Sequence, residues 1–268
     1  MGEVIGFIAL KGGVGKTTLA ASLASDLVNY HGKRVLLIDA NYSAPNLGLH
    51  LDIIHPEKTI HDVLLGKTRL ESAIYQRYGI DVIPGNPSMG VVNPLKLRDK
   101  IARAIPLYDF VILDSSPSLN EEVLSTMLAS DHLFVVTTPD IPTLSCSLRA
   151  AHLAKQRGKP IRGIIINKIR DPHYEVPLSD IEHTLGLPVI ARLPDDKLQA
   201  RALFHGLPLP LYRKQSPFSK EIHRLSCAMS CKPEKISFYN KFFSKHFKKE
   251  AVNRQMLKEG FYTQKFHF

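Results

Sequence analysis

Lys11-Gly12-Gly13-Val14-Gly15-Lys16-Thr17-Thr18 follows a short apolar run, Val4–Leu10, and opens at once into a helical pattern over Lys16–Tyr30. Glycines in such a loop let backbone N–H groups surround phosphate oxygens without interference from a Cβ. The helix that follows aims its partly positive N-terminus at the same place. Lys16 can reach β- and γ-phosphates, and the Thr17 hydroxyl can ligate Mg²⁺. The general phosphate-loop pattern G-x-x-x-x-G-K-[ST] is missed at one position, where Leu10 stands for its first glycine. In its place the run carries a second lysine, Lys11. Strand, loop and helix in this order imply a site for a nucleoside triphosphate with magnesium.

Outward from the loop, β-branched runs at Arg34–Asp39, Ile80–Pro84, Phe110–Asp114, Leu133–Thr138, Ile161–Asn167 and Pro188–Leu193 alternate with helical stretches. Of these stretches, Ser118–Ala129, Pro142–Arg157 and Pro217–Met229 are the clearest. Near-continuous hydrophobic strands separated by helices predict an α/β fold: a doubly wound, mostly parallel sheet of about seven or eight strands with helices on both faces. Ligands of such sheets bind beyond the carboxyl ends of the strands. Asp114 and Asp39 both end apolar strands, so their carboxylates are expected beside the loop as hard oxygen ligands for Mg²⁺. Asn167 also ends a strand. Its amide can donate to and accept from an adenine edge, or satisfy loop backbone instead. Asn167-Lys168 is followed by Ile169 and Arg170, not by the acidic residue of a guanine-reading motif, which favours ATP.

The lysine ahead of two glycines resembles the deviant phosphate loop of the MinD/ParA family of P-loop ATPases, most nearly its MinD-like members. The resemblance spans roughly residues 3–230. It takes Val35–Asp39 as the second-strand motif and Val111–Pro117 as the Walker B and switch region. Ile164–Lys168 matches the base-binding strand end, and Leu193–Asp196, with Pro194, Asp195 and Asp196, the loop that closes over adenine. The resemblance implies that Lys11 reaches across an ATP-bridged homodimer to the partner's phosphates. It also exposes a departure. The family usually carries Asp-x-Asp where this chain reads Asp39-Ala40-Asn41, and the second aspartate positions the attacking water. Asn41 can orient a water but cannot accept its proton. Phosphoryl transfer depends mostly on positioning and charge neutralisation, so slow ATP hydrolysis is expected.

The net charge of +10 is unevenly spread: residues 232–268 carry nine Lys/Arg against three Asp/Glu, together with nine of the 21 Phe and Tyr. Lys232-Pro233 marks the expected end of an ATPase domain, 1–231, and the start of a basic aromatic tail, 232–268. On a helical projection Ile236, Tyr239, Phe242, Phe243 and Phe247 share one arc, and Lys241, Lys245, Lys248 and Lys249 gather opposite, until Glu250 interrupts the apolar side. That composition suits contact with an anionic membrane surface; packing of the aromatics on the core is the other reading. No apolar run approaches the roughly 18 residues of a membrane span. Three cysteines are too few for a disulfide framework and fit a reducing cytoplasm.

Taken with this tail, the resemblance implies an ATP-switched, dimerising regulator, cytoplasmic and peripherally membrane-associated, that positions division, motility or chemosensory machinery with a protein activator or cargo. The alternatives are ParA-like binding to DNA phosphates and metal-cluster carriage as in Mrp-like relatives. Cys227 and Cys231, at C-x-x-x-C spacing rather than Cys-x-x-Cys, would face the same way on a helix and could bind a metal or simply fill a core.

Overall fold

The computed structural model describes residues 2–88, 91–171, 173–230, 249–250, 253–254 and 256–257. Among the described residues there are eight strands: β1 (Glu3–Ile8), β2 (Val35–Ala40), β3 (Tyr75–Arg77), β4 (Ile80–Ile83), β5 (Phe110–Ser115), β6 (His132–Thr137), β7 (Ile161–Ile169) and β8 (Val189–Pro194). They form one sheet in the order β3-β4-β2-β5-β1-β6-β7-β8. All neighbours pair in parallel except β3 with β4. The antiparallel edge is the strand that the sequence pattern misses. β3 has only three residues, two of them exposed, so it carries no hydrophobic run. Its pairing comes from the tight turn at Tyr78 and Gly79, both at positive φ as a two-residue hairpin requires.

The helices are α1 (Lys16–His31), α2 (Leu47–His50), α3 (Ile60–Leu64), α4 (Leu97–Ile101), α5 (Glu121–Ala129), α6 (Ile141–Gln156), α7 (Leu178–Leu185), α8 (Leu198–Phe204), α9 (Leu209–Tyr212) and α10 (Pro217–Met229). α5 begins later than the expected Ser118, because the Asn120 side chain accepts from the N–H groups of Glu122 and Val123 and sets the boundary there. Alternate residues of each strand feed opposite layers. Ile5 and Phe7 of β1 join Leu19, Leu23 and Leu27 of α1 and Phe218 and Ile222 of α10, whereas Val4 packs with β2, α3 and α4. Ile8 faces α5 and α6. This two-sided burial explains why the central strands are apolar throughout.

Residues beyond α10 return to the core. Glu250, Asn253, Arg254 and Leu257 are buried. Glu250 accepts from Arg192 at 3.2 Å, Asn253 donates to the Val189 carbonyl at 2.8 Å, and Arg254 donates to the Ile190 carbonyl at 3.1 Å. Lys249, expected on the lysine face opposite the aromatic arc, pairs with Glu182 of α7. The proposed contact residues Ile236, Tyr239, Lys241, Phe242, Phe243, Lys245, Phe247 and Lys248 lie outside the described residues, as does Cys231. Among the described residues no helix is long and apolar enough to cross a membrane.

Candidate functional site

β1 leaves the sheet at Ile8 between β5 and β6, and the glycine-rich loop crosses the carboxyl edge of the sheet at that point. Gly13 and Gly15 sit at φ +76° and +89°, a region that side chains rarely adopt. A Cβ on Gly15 would also stand 2.4 Å from Nδ2 of Asn167. Gly15 caps α1, which has no side-chain cap and no acidic residue in its first turn. Its leading N–H donors therefore remain available to an anion.

The charged groups converge from three neighbouring strands. Asp39 and Asp114 are register partners on β2 and β5, and both are buried. Asp39 accepts from the backbone N–H groups of Asn41, Asn46 and Leu47 at 3.0–3.1 Å. Both Asp114 oxygens are buried with no hydrogen-bond partner among the described residues. Burial pushes the Asp114 carboxyl above the usual carboxylate range, with the Thr17 hydroxyl and the Lys16 ammonium facing it and opposing the shift. Burial, then the neighbouring Asp114, raises Asp39 likewise. Lys16 is itself buried and held below the usual lysine range by desolvation, against the pull of Asp114. Two adjacent buried carboxylates, of which Asp114 keeps both oxygens without a hydrogen-bond partner among the described residues, fit a hard divalent cation such as Mg²⁺. Asp114, Asp39 and Thr17 are the residues that would hold it.

Asn46 is the member that sequence reading missed. Its Oδ1 accepts from the Thr17 hydroxyl at 3.0 Å, and its N–H serves Asp39. Beside it the His50 ring lies 3.4 Å from the Thr18 hydroxyl. Neither carries a contiguous motif; position relative to Asp39 was the only signal. Asn41 is buried, donates its Nδ2 to the Ala44 carbonyl at 2.6 Å, and leaves Oδ1 without a partner among the described residues.

Lys11 is not directed into the loop. Its Nζ lies 2.7 Å from the Thr143 hydroxyl and 3.3 Å from Asp140 Oδ1, at the N-terminus of α6. Although burial works against it, bonds from Thr138, Thr143 and Lys11 hold the Asp140 carboxyl below its ordinary range.

Asn167, Pro194, Asp195 and Asp196 come together with Gly15 and Thr18 around a cavity of about 380 Å³. Asn167 is buried and donates to the Val14 carbonyl at 2.8 Å, so one of its amide hydrogens is spent on the loop. Asp195 pairs with Arg170 at 2.5 Å. Asp196 Oδ2 and Gln199 Nε2 are buried there with no partner among the described residues, an acceptor and a donor suited to a polar ring edge. Gln199 had no sequence signal.

Comparison with known proteins agrees with this geometry. Residues 2–148 match a family model described as an AAA domain. An ATP-binding protein of Methanocaldococcus jannaschii is 31% identical, over 90% of this chain and 96% of its own length. The septum site-determining protein MinD of Thermotoga maritima is 30% identical, over 84% of this chain and 87% of its own. Among solved structures, MinD of Pyrococcus horikoshii complexed with Mg-ADP superposes with a TM-score of 0.78 at 29% identity, covering 84% of this chain and 95% of that one.

Proposed function

Since this chain belongs to the MinD/ParA family of P-loop ATPases, we propose that it is an ATP- and Mg²⁺-dependent dimerising switch that docks reversibly on an anionic membrane face and positions cellular machinery. One observation carries the reading. The Asp39–Asp114 pair, Lys16 and the uncapped N-terminus of α1 converge at the carboxyl edge of the sheet, with a pocket of nucleotide-base size beside them. Water attacks the γ-phosphorus of ATP, the bond to the β–γ bridging oxygen breaks so that ADP leaves, and the water's proton passes to the released phosphate or to solvent. Lys16 and the α1 N–H groups stabilise the charge that builds on the transferring phosphoryl oxygens. Mg²⁺, when bound, neutralises phosphate charge. The Oδ1 of Asn41, which has no partner among the described residues, accepts from the attacking water and orients it, but the amide cannot take its proton, so turnover is slow. On dimerisation Lys11 exchanges Asp140 and Thr143 for the partner's phosphates.

The membrane part rests on the sequence of the tail. Each lysine near an anionic surface adds about 1 kcal/mol, and two tails in a dimer act as one intramolecular pair. Sedimentation with anionic liposomes tests it, comparing ATP with ADP. Removing everything after Cys231 would also strip Glu250, Asn253 and Arg254 from the core. The better variant is Phe242→Ser/Phe243→Ser/Phe247→Ser in the full chain. ATP-dependent pelleting that the triple variant loses is the expected result. Pelleting of neither protein sinks the membrane reading, and salt-sensitive retention on DNA in its place makes the protein a ParA-like DNA binder.

A further inference from the structure

At the end of α1 remote from the phosphate loop, His31 in the last turn is buried against α10. His223 and Cys227 lie one turn apart on α10 and face it. Cys227 Sγ is 3.7 Å from His223 Nε2 and 3.9 Å from His31 Nε2. One ligand atom from each of the three residues lies within 4.8 Å of the other two. A zinc ion bound at about 2.3 Å to sulfur and about 2.0 Å to nitrogen in tetrahedral geometry sets sulfur–nitrogen edges of roughly 3.5 Å. Shifts of a few tenths of an ångström at the two sulfur contacts would bring them to that spacing.

The outer ring nitrogens are already engaged. Nδ1 of His223 lies 3.0 Å from Asp26 Oδ1, and Nδ1 of His31 lies 2.9 Å from the Ser230 hydroxyl. A carboxylate behind an imidazole fixes its tautomer and raises the basicity of the other nitrogen, the usual support of a metal-bound histidine. Asp26 is buried, takes the Ser226 hydroxyl as well, and lies 3.4 Å from His31 Nε2; that hydroxyl is itself 2.9 Å from His31 Nε2, so a metal ion at this nitrogen must displace it. The imidazole–thiolate set is soft enough to select zinc over magnesium. The His223 side chain is 41% exposed and lines a cavity of about 260 Å³ through which an ion can arrive. Lys214, Lys220 and Arg224 also stand there, so the thiolate and Asp26 must balance the charge of the ion.

We propose that His31, His223 and Cys227 form a zinc site, with Asp26 as positioning residue and water in the fourth place. Binding replaces the thiol proton, which passes to solvent, by a sulfur–zinc bond. The site is distinct from the phosphate loop and clamps the distal end of the helix that the loop begins.

The test uses the full chain, stripped by a chelator and free of nucleotide, titrated with cobalt(II) chloride. A thiolate-to-cobalt charge-transfer band at one ion per chain is expected, displaced by zinc. It should vanish in Cys227→Ser and persist in Cys146→Ser and Cys231→Ser. Asp26→Asn keeps the band and weakens cobalt affinity about 10- to 100-fold. Zinc should raise Tm in the wild type and not in Cys227→Ser. If that variant folds poorly, His223→Gln decides, by altered ligand-field bands and an affinity at least about tenfold weaker. A missing wild-type band, a band that survives Cys227→Ser, or one lost in Cys231→Ser overturns the assignment.

Discussion

The two ends of α1 carry different chemistry by different means. Its N-terminus is served by eight consecutive residues, Lys11–Thr18, in which backbone donors and one buried lysine await an anion. Its C-terminus is served by Asp26 and His31 of the helix itself and by His223 and Cys227 nearly 200 positions later, so that imidazole, thiol and carboxylate crowd together. One end binds through main chain and charge, and the other through side chains that only packing unites. The contrast teaches that a contiguous motif announces itself, whereas a site assembled across a helix seam does not.

The comparison breaks most sharply at Lys16. Lys16→Ala is expected to lower phosphate release at least about 100-fold, as loss of a charge-stabilising donor does. Tm of the nucleotide-free protein should not fall, since the buried ammonium gains little from its surroundings. A modest loss of rate would mean that the loop donors suffice without it. Gly15→Ala comes next. Its φ and the 2.4 Å approach to Asn167 make it strained, at roughly 1–3 kcal/mol. A nucleotide affinity about tenfold or more weaker should follow, read by calorimetry.

Asn41→Asp tests the departure from the family pattern. Hydrolysis about tenfold faster in single turnover is expected if proton acceptance is what the asparagine lacks. An unchanged rate would reduce Asn41 to the loop residue that bonds Ala44.

Asp114→Asn yields a smaller effect in stability, and it carries a pH signature. Burial raises the Asp114 and Asp39 carboxyls above the ordinary carboxylate range. In that window the folded, nucleotide-free chain binds more protons than the unfolded chain, so stability falls as pH rises from the ordinary carboxylate range through the raised values. The variant removes part of that loss. Its Tm should exceed the wild type at neutral pH by about 2–4 °C for each kcal/mol relieved, and the gap should close in acid. An equal gap at both pH values would show that the carboxylates are not the cause. The smallest expected effect is at the far end. Ser230→Ala removes the partner of His31 Nδ1 and should cost about 1 kcal/mol in denaturant unfolding.

By itself the sequence determined the parallel sheet, the phosphate loop and the strand-end positions of Asp39, Asp114 and Asn167. The physical reason is that each is local. Buried parallel strands must be apolar throughout, and a loop that wraps phosphate needs its glycines consecutive with the helix it feeds. Tertiary structure alone decided what depends on partners distant in the chain. Asn46 bridges Thr17 and Asp39 because α2 folds back over the loop. Lys11 rests on Asp140 and Thr143 because β6 lies beside β1. The short edge strand β3 exists through its turn rather than its side chains, and the basic tail returns to β8 through Asn253 and Arg254. His31, His223, Cys227 and Asp26 meet only because α1 and α10 pack side by side, and no one-dimensional spacing encodes that meeting.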